Sequence, residues 1–118
     1  MKRYSIILFL ILAIAGALAQ VIKGTGQFSK TNASTTVPVV FTNATLQVME
    51  VTILGKSAPR TDNVGDIYVG TTSGNDTQAF KIAPGGEASI KVTSGYIDLA
   101  SWYVDVTTAN DGVTVIYR

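Results

Sequence analysis

The sequence predicts an all-β fold, an antiparallel β-sandwich of the jelly-roll or immunoglobulin-like type with about seven or eight strands. Three observations predict it. Beyond residue 19, hydrophobic residues recur with a period of two, and no stretch keeps a helical period. Gly, Pro, Asn and Asp interrupt the chain repeatedly, as is typical of short strands joined by turns. Thr, Val and Ile are abundant, and they suit strands with one solvated face.

Residues 1–19 predict a secretory signal peptide. Lys2 and Arg3 form a positive start, and an unbroken apolar run follows over residues 6–15. Ala17-Leu18-Ala19 then supplies the small-x-small pattern that signal peptidase recognises. The run is short for a membrane-spanning helix, which needs about 20 residues. We therefore expect cleavage after this motif, membrane contact only during export, and a single mature domain over residues 20–118. That domain would be periplasmic, extracellular or attached to a surface.

The composition argues against several classes of function. Without Lys2 and Arg3, seven basic residues accompany eight acidic ones, so we expect no nucleic-acid binding. The chain contains no cysteine, so packing or a partner subunit must provide the stability that disulfides give many exported domains. It also contains no histidine, the commonest general acid–base group. Most acidic residues fall at turns, where Asp bonds its own backbone, and we expect no enzymatic activity.

The first segment of the mature domain, residues 20–30, is extended and partly apolar. Val21, Ile22 and Phe28 are its large hydrophobic side chains. They fit two interpretations. The segment is either an ordinary first strand of its own domain or a strand that is added to a neighbouring subunit, as in some exported filaments.

Two strand candidates follow. Residues 37–41 are apolar, and Pro38 places this strand at a sheet edge or at its own start, because proline cannot donate to the ladder. Residues 45–54 form the longest candidate, and their hydrophobic parity changes at Met49-Glu50. One inserted residue would keep all the apolar side chains on the core side, so we predict a β-bulge there. A strand buried on both faces is the alternative.

The rest of the chain alternates between turns and short strands. Residues 55–64 predict a loop, and residues 66–70 a strand. Residues 80–92 predict a hairpin, with Pro84-Gly85 at the centre of a type II turn. Residues 95–100 suggest a short helical turn.

The last two strands begin at Trp102 and Val113, and Asn110-Asp111-Gly112 turns the chain between them. Its Asp-Gly pair is a strong signal for a tight turn, because both residues can adopt positive φ. The alternation as a whole predicts a single hydrophobic core. The predicted core residues are Leu46, Val48, Val51, Ile53, Ile67, Val69, Phe80, Ile82, Ile90, Val92, Trp102, Val104, Val106, Val113 and Val115.

Two segments resemble each other. Ile67-Tyr68-Val69-Gly70 and Trp102-Tyr103-Val104-Asp105 each place a tyrosine between two inward-facing residues. Tyr68 and Tyr103 should therefore project from the outer face, either as ordinary exposed strand residues or as a contact surface. With Tyr96, they could alternatively stack on the rings of a glycan.

Polar motifs suggest two further ligands. No motif in the sequence requires a cofactor. Calcium prefers oxygen ligands, and two groups of polar residues could supply them. These groups are Asp62 with Asn63 and Asp66, and Asp105 with Asn110 and Asp111. N-glycosylation patterns occur three times. They begin at Asn32, Asn43 and Asn75.

The second half of the chain also contains a series of short motifs in a recognisable order. The motifs are Gly65-Asp66-Ile67-Tyr68-Val69-Gly70, Ile82-Ala83-Pro84-Gly85-Gly86-Glu87, Trp102-Tyr103-Val104-Asp105 and Asp111-Gly112-Val113-Thr114-Val115-Ile116-Tyr117. Over residues 64–118 the chain resembles small β-sandwich structural proteins of tailed bacteriophages, of the head-decoration or tail-associated kind. The resemblance implies a non-enzymatic virion subunit that works through protein–protein contacts.

Together these observations predict a structural or interaction subunit of a virion or surface assembly. Its partners would be copies of itself, as a homo-oligomer, or other assembly subunits. A secreted adhesion or carbohydrate-binding module is the alternative, as is an extracellular filament subunit assembled by N-terminal strand exchange. The residues expected to make the contacts are Tyr68, Tyr103, Val21, Ile22 and Phe28.

Overall fold

The computed structural model describes residues 25–72, 78 and 80–118. Within this part the chain forms twelve strands and one 3₁₀ turn. In chain order these are β1 (Gly26–Thr31), β2 (Val39–Val40), β3 (Gln47–Val48), β4 (Glu50–Leu54), β5 (Lys56–Ala58), β6 (Thr61–Asp62), β7 (Ile67–Gly70), β8 (Phe80–Ile82), β9 (Glu87–Lys91), β10 (Ile97–Asp98), the 3₁₀ turn (Leu99–Ser101), β11 (Tyr103–Val106) and β12 (Gly112–Tyr117). The all-β prediction is confirmed. The predicted signal segment, residues 1–19, lies outside the described residues.

Two four-stranded antiparallel sheets carry the core. The first sheet has the strand order β1-β12-β4-β9 and the second β2-β11-β7-β8. Two short ribbons, β3 with β10 and β5 with β6, accompany them. Alternate residues of both large sheets join one buried cluster, because a strand directs every second side chain to the same side. This arrangement is compatible with the predicted β-sandwich.

The parity change in the longest predicted strand is a β-bulge, as the sequence predicts. The N–H groups of Met49 and Glu50 both donate to the carbonyl oxygen of Arg118, at 2.8 and 2.9 Å. Two residues therefore oppose one residue of the partner strand, which defines a bulge. Met49 is exposed, whereas Val48 and Val51 on either side are both buried. The bulge also divides the predicted strand, because β3 pairs with β10 and β4 pairs with β9 and β12.

The predicted hairpin over residues 80–92 is wrong. Its turn does form, since the Gly86 N–H donates to the Ala83 carbonyl oxygen at 2.8 Å and Gly85 has a φ of 71°. However, β8 pairs with β7 in the second sheet, and β9 pairs with β4 in the first. The turn carries the chain between sheets because the Gly55 carbonyl, at the end of β4, accepts the Gly85 N–H at 2.9 Å.

Residues 55–64, predicted as a loop, contain the β5–β6 ribbon. Lys56 and Asp62 form an ion pair across it at 2.9 Å. The Thr114 hydroxyl donates to the Lys56 carbonyl oxygen at 3.1 Å. The ribbon therefore covers part of the outer side of β12, which explains why Thr114 is buried although it faces away from the core.

The turn predicted over Asn110-Asp111-Gly112 spans Thr108 to Asp111, so the Asp-Gly pair is not at its centre. Among the described residues, Asn110, with a φ of 70°, is the non-glycine residue in the left-handed conformation, which asparagine tolerates well. The Asp111 N–H donates to the Thr108 carbonyl oxygen at 3.2 Å. Gly112 instead begins β12, where a Cβ would lie 2.1 Å from the Lys30 carbonyl oxygen. Glycine is needed there for the close approach of β1, rather than for a turn.

Most of the predicted core is confirmed, and Leu46, Ile90 and Val92 lie half-buried at its border. Phe80 is wrong as a core residue. It is 45 % exposed, because β8 is an edge strand and its ring stacks on one side of Trp102. Three hydrophobic residues of the described core were not predicted, because they lie where the chain has no regular alternation. These are Phe41, Ile97 and Leu99.

Candidate functional site

The two segments that resemble each other in sequence are paired neighbours in the second sheet. β7 and β11 are antiparallel, with Tyr103 opposite Gly70 and Asp105 opposite Tyr68. Directly opposed residues point to the same side of a sheet, so both tyrosines lie on the side away from the core. This is the outward placement that the sequence predicts. We call the outer surface of β7 and β11 that carries Tyr68 and Tyr103 the tyrosine face.

The two tyrosines are diagonal neighbours on this face. Diagonal positions of an antiparallel pair lie about 7–8 Å apart, so both rings can contact one partner surface together. Both side chains are half-buried, whereas Asp105 between them is 1 % exposed. Lys81 of β8 lies opposite Tyr68, and its ammonium group is 3.3 Å from the carboxylate of Asp66. The face thus combines apolar rings, hydroxyl groups and a compensated charge, a composition found in protein interfaces.

Tyr96, the third residue of the predicted glycan site, belongs to neither strand of the tyrosine face. It precedes β10, which pairs with β3 rather than with the second sheet, and it is 47 % exposed. The two strands of the tyrosine face therefore bring together two of the three aromatic residues predicted for sugar stacking.

Of the apolar residues predicted for strand addition, the structure describes Phe28. It lies in β1 opposite Val115 of β12, and its ring is tilted against Tyr117 with centroids 6.0 Å apart. Within this chain, β1 has the place of a first strand at a sheet edge. Val21 and Ile22 lie outside the described residues. Strand exchange with a neighbour stays a prediction.

Two of the residues considered for calcium, Asn63 and Asp111, use their side-chain oxygens for hydrogen bonds within the chain. The Asp111 carboxylate accepts hydrogen bonds from the N–H groups of Val64 and Gly65, at 2.9 and 2.8 Å. The Asn63 amide exchanges two hydrogen bonds with the backbone of Gly112, at 2.8 and 3.0 Å. We call Asn63 and Asp111 the polar clamp, because they tie the segment before β7 to the start of β12. Among the described residues, no group of three or more acidic side chains could hold a metal ion.

Asn32, one of the predicted glycan acceptors, is a buried structural residue. It is 1 % exposed, and its amide group donates to the carbonyl oxygens of Val37 and Val104 at 2.9 and 3.1 Å. Its side-chain oxygen accepts the N–H of Ser34 at 2.9 Å. Sequence reasoning missed this role, because an Asn-x-Ser pattern looks the same at a buried and an exposed position. Asn43 is exposed, and Asn75 lies outside the described residues.

We expect folded protein made in glycosylating cells to carry no N-glycan on Asn32, because its amide is enclosed and hydrogen-bonded. Asn43 is the matched control, since it has the same motif and is exposed. Peptide mapping by mass spectrometry measures the occupancy of both positions. A glycan on Asn32 in the folded fraction would contradict the buried placement.

Two depressions, of about 140 and 350 Å³, flank the bulge on either side of an ion pair. The pair joins the Arg118 guanidinium to the Glu50 carboxylate at 2.7 Å. These two charges neutralise each other, and Lys91 adds a positive charge to the lining of the second depression. The remaining lining residues are Thr25, Thr52, Ile116 and Tyr117 on one side and Met49, Lys91 and Val92 on the other.

Comparison with known proteins found no match to a family model, to a curated protein or to a solved structure. In the part of the chain that the structure describes, no helix has the length and apolar character needed to cross a membrane. The resemblance to bacteriophage structural proteins, the signal peptide, the exported location and the lack of enzymatic activity stay predictions.

Proposed function

We propose that this protein is a non-enzymatic structural subunit that acts through protein–protein contacts of an exported, jelly-roll or immunoglobulin-like β-sandwich. The assembly is a virion, as the resemblance over residues 64–118 implies, or another surface structure. The observation that carries the proposal is the tyrosine face, where Tyr68 and Tyr103 are held side by side on two paired strands. Regular strands present both rings with little conformational freedom left to lose on binding.

The absence of cysteine supports the same proposal. An exported domain without disulfides can gain stability from a partner that binds only the folded state. Association then both builds the assembly and stabilises the folded subunit. Exchange of β1 between subunits is one way to achieve it, because β1 lies at an edge of the first sheet.

A secreted adhesion or carbohydrate-binding module is the second candidate. The same tyrosine face favours it, because two phenol rings on neighbouring strands form a platform on which sugar rings can stack. Titration with glycans, followed by tyrosine and tryptophan fluorescence, separates the two functions. A saturable response that disappears when Tyr68 and Tyr103 are replaced would favour the glycan-binding module.

Replacing Tyr68 and Tyr103 together by alanine is expected to weaken association by about tenfold or more, which corresponds to a loss of about 1.4 kcal/mol. Sedimentation velocity measures the association, and thermal melting shows whether the variant still unfolds cooperatively. Tyr96→Ala is the control, because it removes an exposed tyrosine from another part of the chain. Unchanged association of the double variant would contradict a role for the tyrosine face.

A further inference from the structure

The edge strands of the two large sheets are protected to different degrees. Among the described strands, β2 and β8 are only two and three residues long, and Pro38 precedes β2. β1 directs Lys30 to the core side, opposite Val113, and an inward-pointing charge opposes pairing with another chain. β9 is five residues long, with neither a proline nor an inward-pointing charge. It is therefore the described edge best suited to accept another strand.

The backbone of β9 presents one row of hydrogen-bonding groups away from its own sheet. At one end of β9 the Val92 N–H donates to the Met49 carbonyl oxygen at 2.9 Å, and at the other end the Gly86 carbonyl accepts a bond of 2.8 Å. Backbone hydrogen-bonding groups alternate in direction along an antiparallel ladder. The N–H and C=O groups of the even-numbered residues of β9 therefore point toward β4. The positions whose N–H and C=O groups point outward are Glu87, Ser89 and Lys91.

The charges of β9 are complementary to those of a second, antiparallel β9. A two-fold axis through Ser89 places Glu87 of each copy opposite Lys91 of the other. Opposite charges at directly opposed positions stabilise a strand pair. All the outward-pointing backbone groups of the strand are paired in the same register. We infer that β9 joins two copies of this chain into such a dimer, an inference that rests on the proposed function and names its partner as a second copy.

The core side of β9 supports the same register. Ala88 and Ile90 face the core but remain half-buried, whereas Val51 and Ile53 beside them on β4 are fully buried. The two-fold register places Ala88 of one copy opposite Ile90 of the other. A second β9 would therefore cover the apolar side chains that the edge leaves partly exposed, and the two sheets would become one continuous sheet.

Cysteine crosslinking tests this register directly, because the chain contains no cysteine. Opposed residues of a hydrogen-bonded antiparallel pair have Cα atoms about 5.5 Å apart, a distance that a disulfide can span. Under mild oxidation, Ser89→Cys is expected to produce a covalent dimer. Thr52→Cys is the matched control, since Thr52 lies opposite Ser89 on β4 and shares a 3.1 Å hydrogen bond with it. It is one strand further from the axis and should not crosslink.

Two charge variants test the complementarity without a covalent bond. Glu87→Lys and Lys91→Glu are each expected to reduce self-association by about tenfold or more, because like charges then face each other across the axis. Mixing the two variants in equal amounts should restore the dimer, because a positive edge then meets a negative one. Melting temperatures near that of the wild type show that the variants are folded.

These experiments use the protein in the form that producing cells accumulate. Crosslinking of Ser89→Cys but not Thr52→Cys, with recovery of association on mixing the charge variants, would support the β9 dimer. If the protein associates but Ser89→Cys forms no crosslink and the charge variants have no effect, the β9 dimer is overturned. The tyrosine face would then still be a candidate for the contact. If only the Tyr68 and Tyr103 double variant lost association, the contact would lie on the tyrosine face and the β9 dimer would be overturned. A wild-type protein that stays monomeric also overturns the dimer.

Discussion

Replacing Trp102 by alanine is expected to lower the free energy of unfolding by about 3–5 kcal/mol, the usual cost of removing a large buried aromatic side chain. Trp102 is 8 % exposed, and its ring packs against those of Phe41 and Phe80, with centroid distances of 6.2 and 6.3 Å. Its carbonyl oxygen also accepts the Phe41 N–H at 2.8 Å, so side chain and backbone fix the same contact. Equilibrium unfolding in urea measures the loss.

Phe80→Ala is the control for this substitution. Phe80 contacts the same tryptophan but is 45 % exposed on an edge strand, so its removal should cost about 1 kcal/mol. The comparison distinguishes an aromatic residue inside the core from one that covers it. Equal losses for the two variants would contradict the burial of Trp102.

Asn63→Ala is expected to lower the free energy of unfolding by about 2–6 kcal/mol. The substitution removes both hydrogen bonds to Gly112 and leaves a buried N–H and a buried carbonyl oxygen without these partners, at about 1–3 kcal/mol for each group. The segment before β7 then loses half of the polar clamp, and the half that remains is the Asp111 carboxylate, which accepts the N–H groups of Val64 and Gly65. Urea unfolding gives the magnitude.

The neighbouring residue provides the matched control for Asn63. Asp62 forms an exposed ion pair with Lys56, and such pairs contribute about 0–1 kcal/mol. Asp62→Ala should therefore leave the unfolding midpoint almost unchanged. If the two alanine variants had the same stability, the polar clamp would not be a stabilising element.

Sequence reasoning succeeds here where one-dimensional periodicity determines the structure. The parity change between Val48 and Val51 requires an extra residue, and the structure places a bulge at Met49. Pro38 cannot donate to a ladder, and β2 lies at a sheet edge as predicted. The outward direction of Tyr68 and Tyr103 follows from the same period of two.

Sequence reasoning fails where the partner of an element is far away in the chain. The turn at Pro84-Gly85 has the expected local geometry, but local geometry does not determine whether the next strand stays in the same sheet. Hydrogen bonds from Gly55, about thirty residues earlier, decide this. The same holds for Asn32 and Asn63, because a polar side chain carries no signal that it will bond a distant backbone.

The candidate site combines both situations. Its two tyrosines could be assigned to an outer face from alternation alone, but their proximity depends on the pairing of β7 with β11, which is a non-local contact. The β9 edge was predicted only as half of a hairpin. Its exposed row of backbone groups became visible once the sheet order placed β8 and β9 in different sheets.

The native mass of the protein isolated from producing cells tests the central claim most directly. A subunit that acts through protein–protein contacts should be recovered in an oligomer or a larger assembly. Mass photometry of the gently purified material measures the mass of that assembly. The account predicts a discrete mass that is a multiple of the subunit mass or that includes other assembly proteins. A lone monomer at every concentration would contradict it.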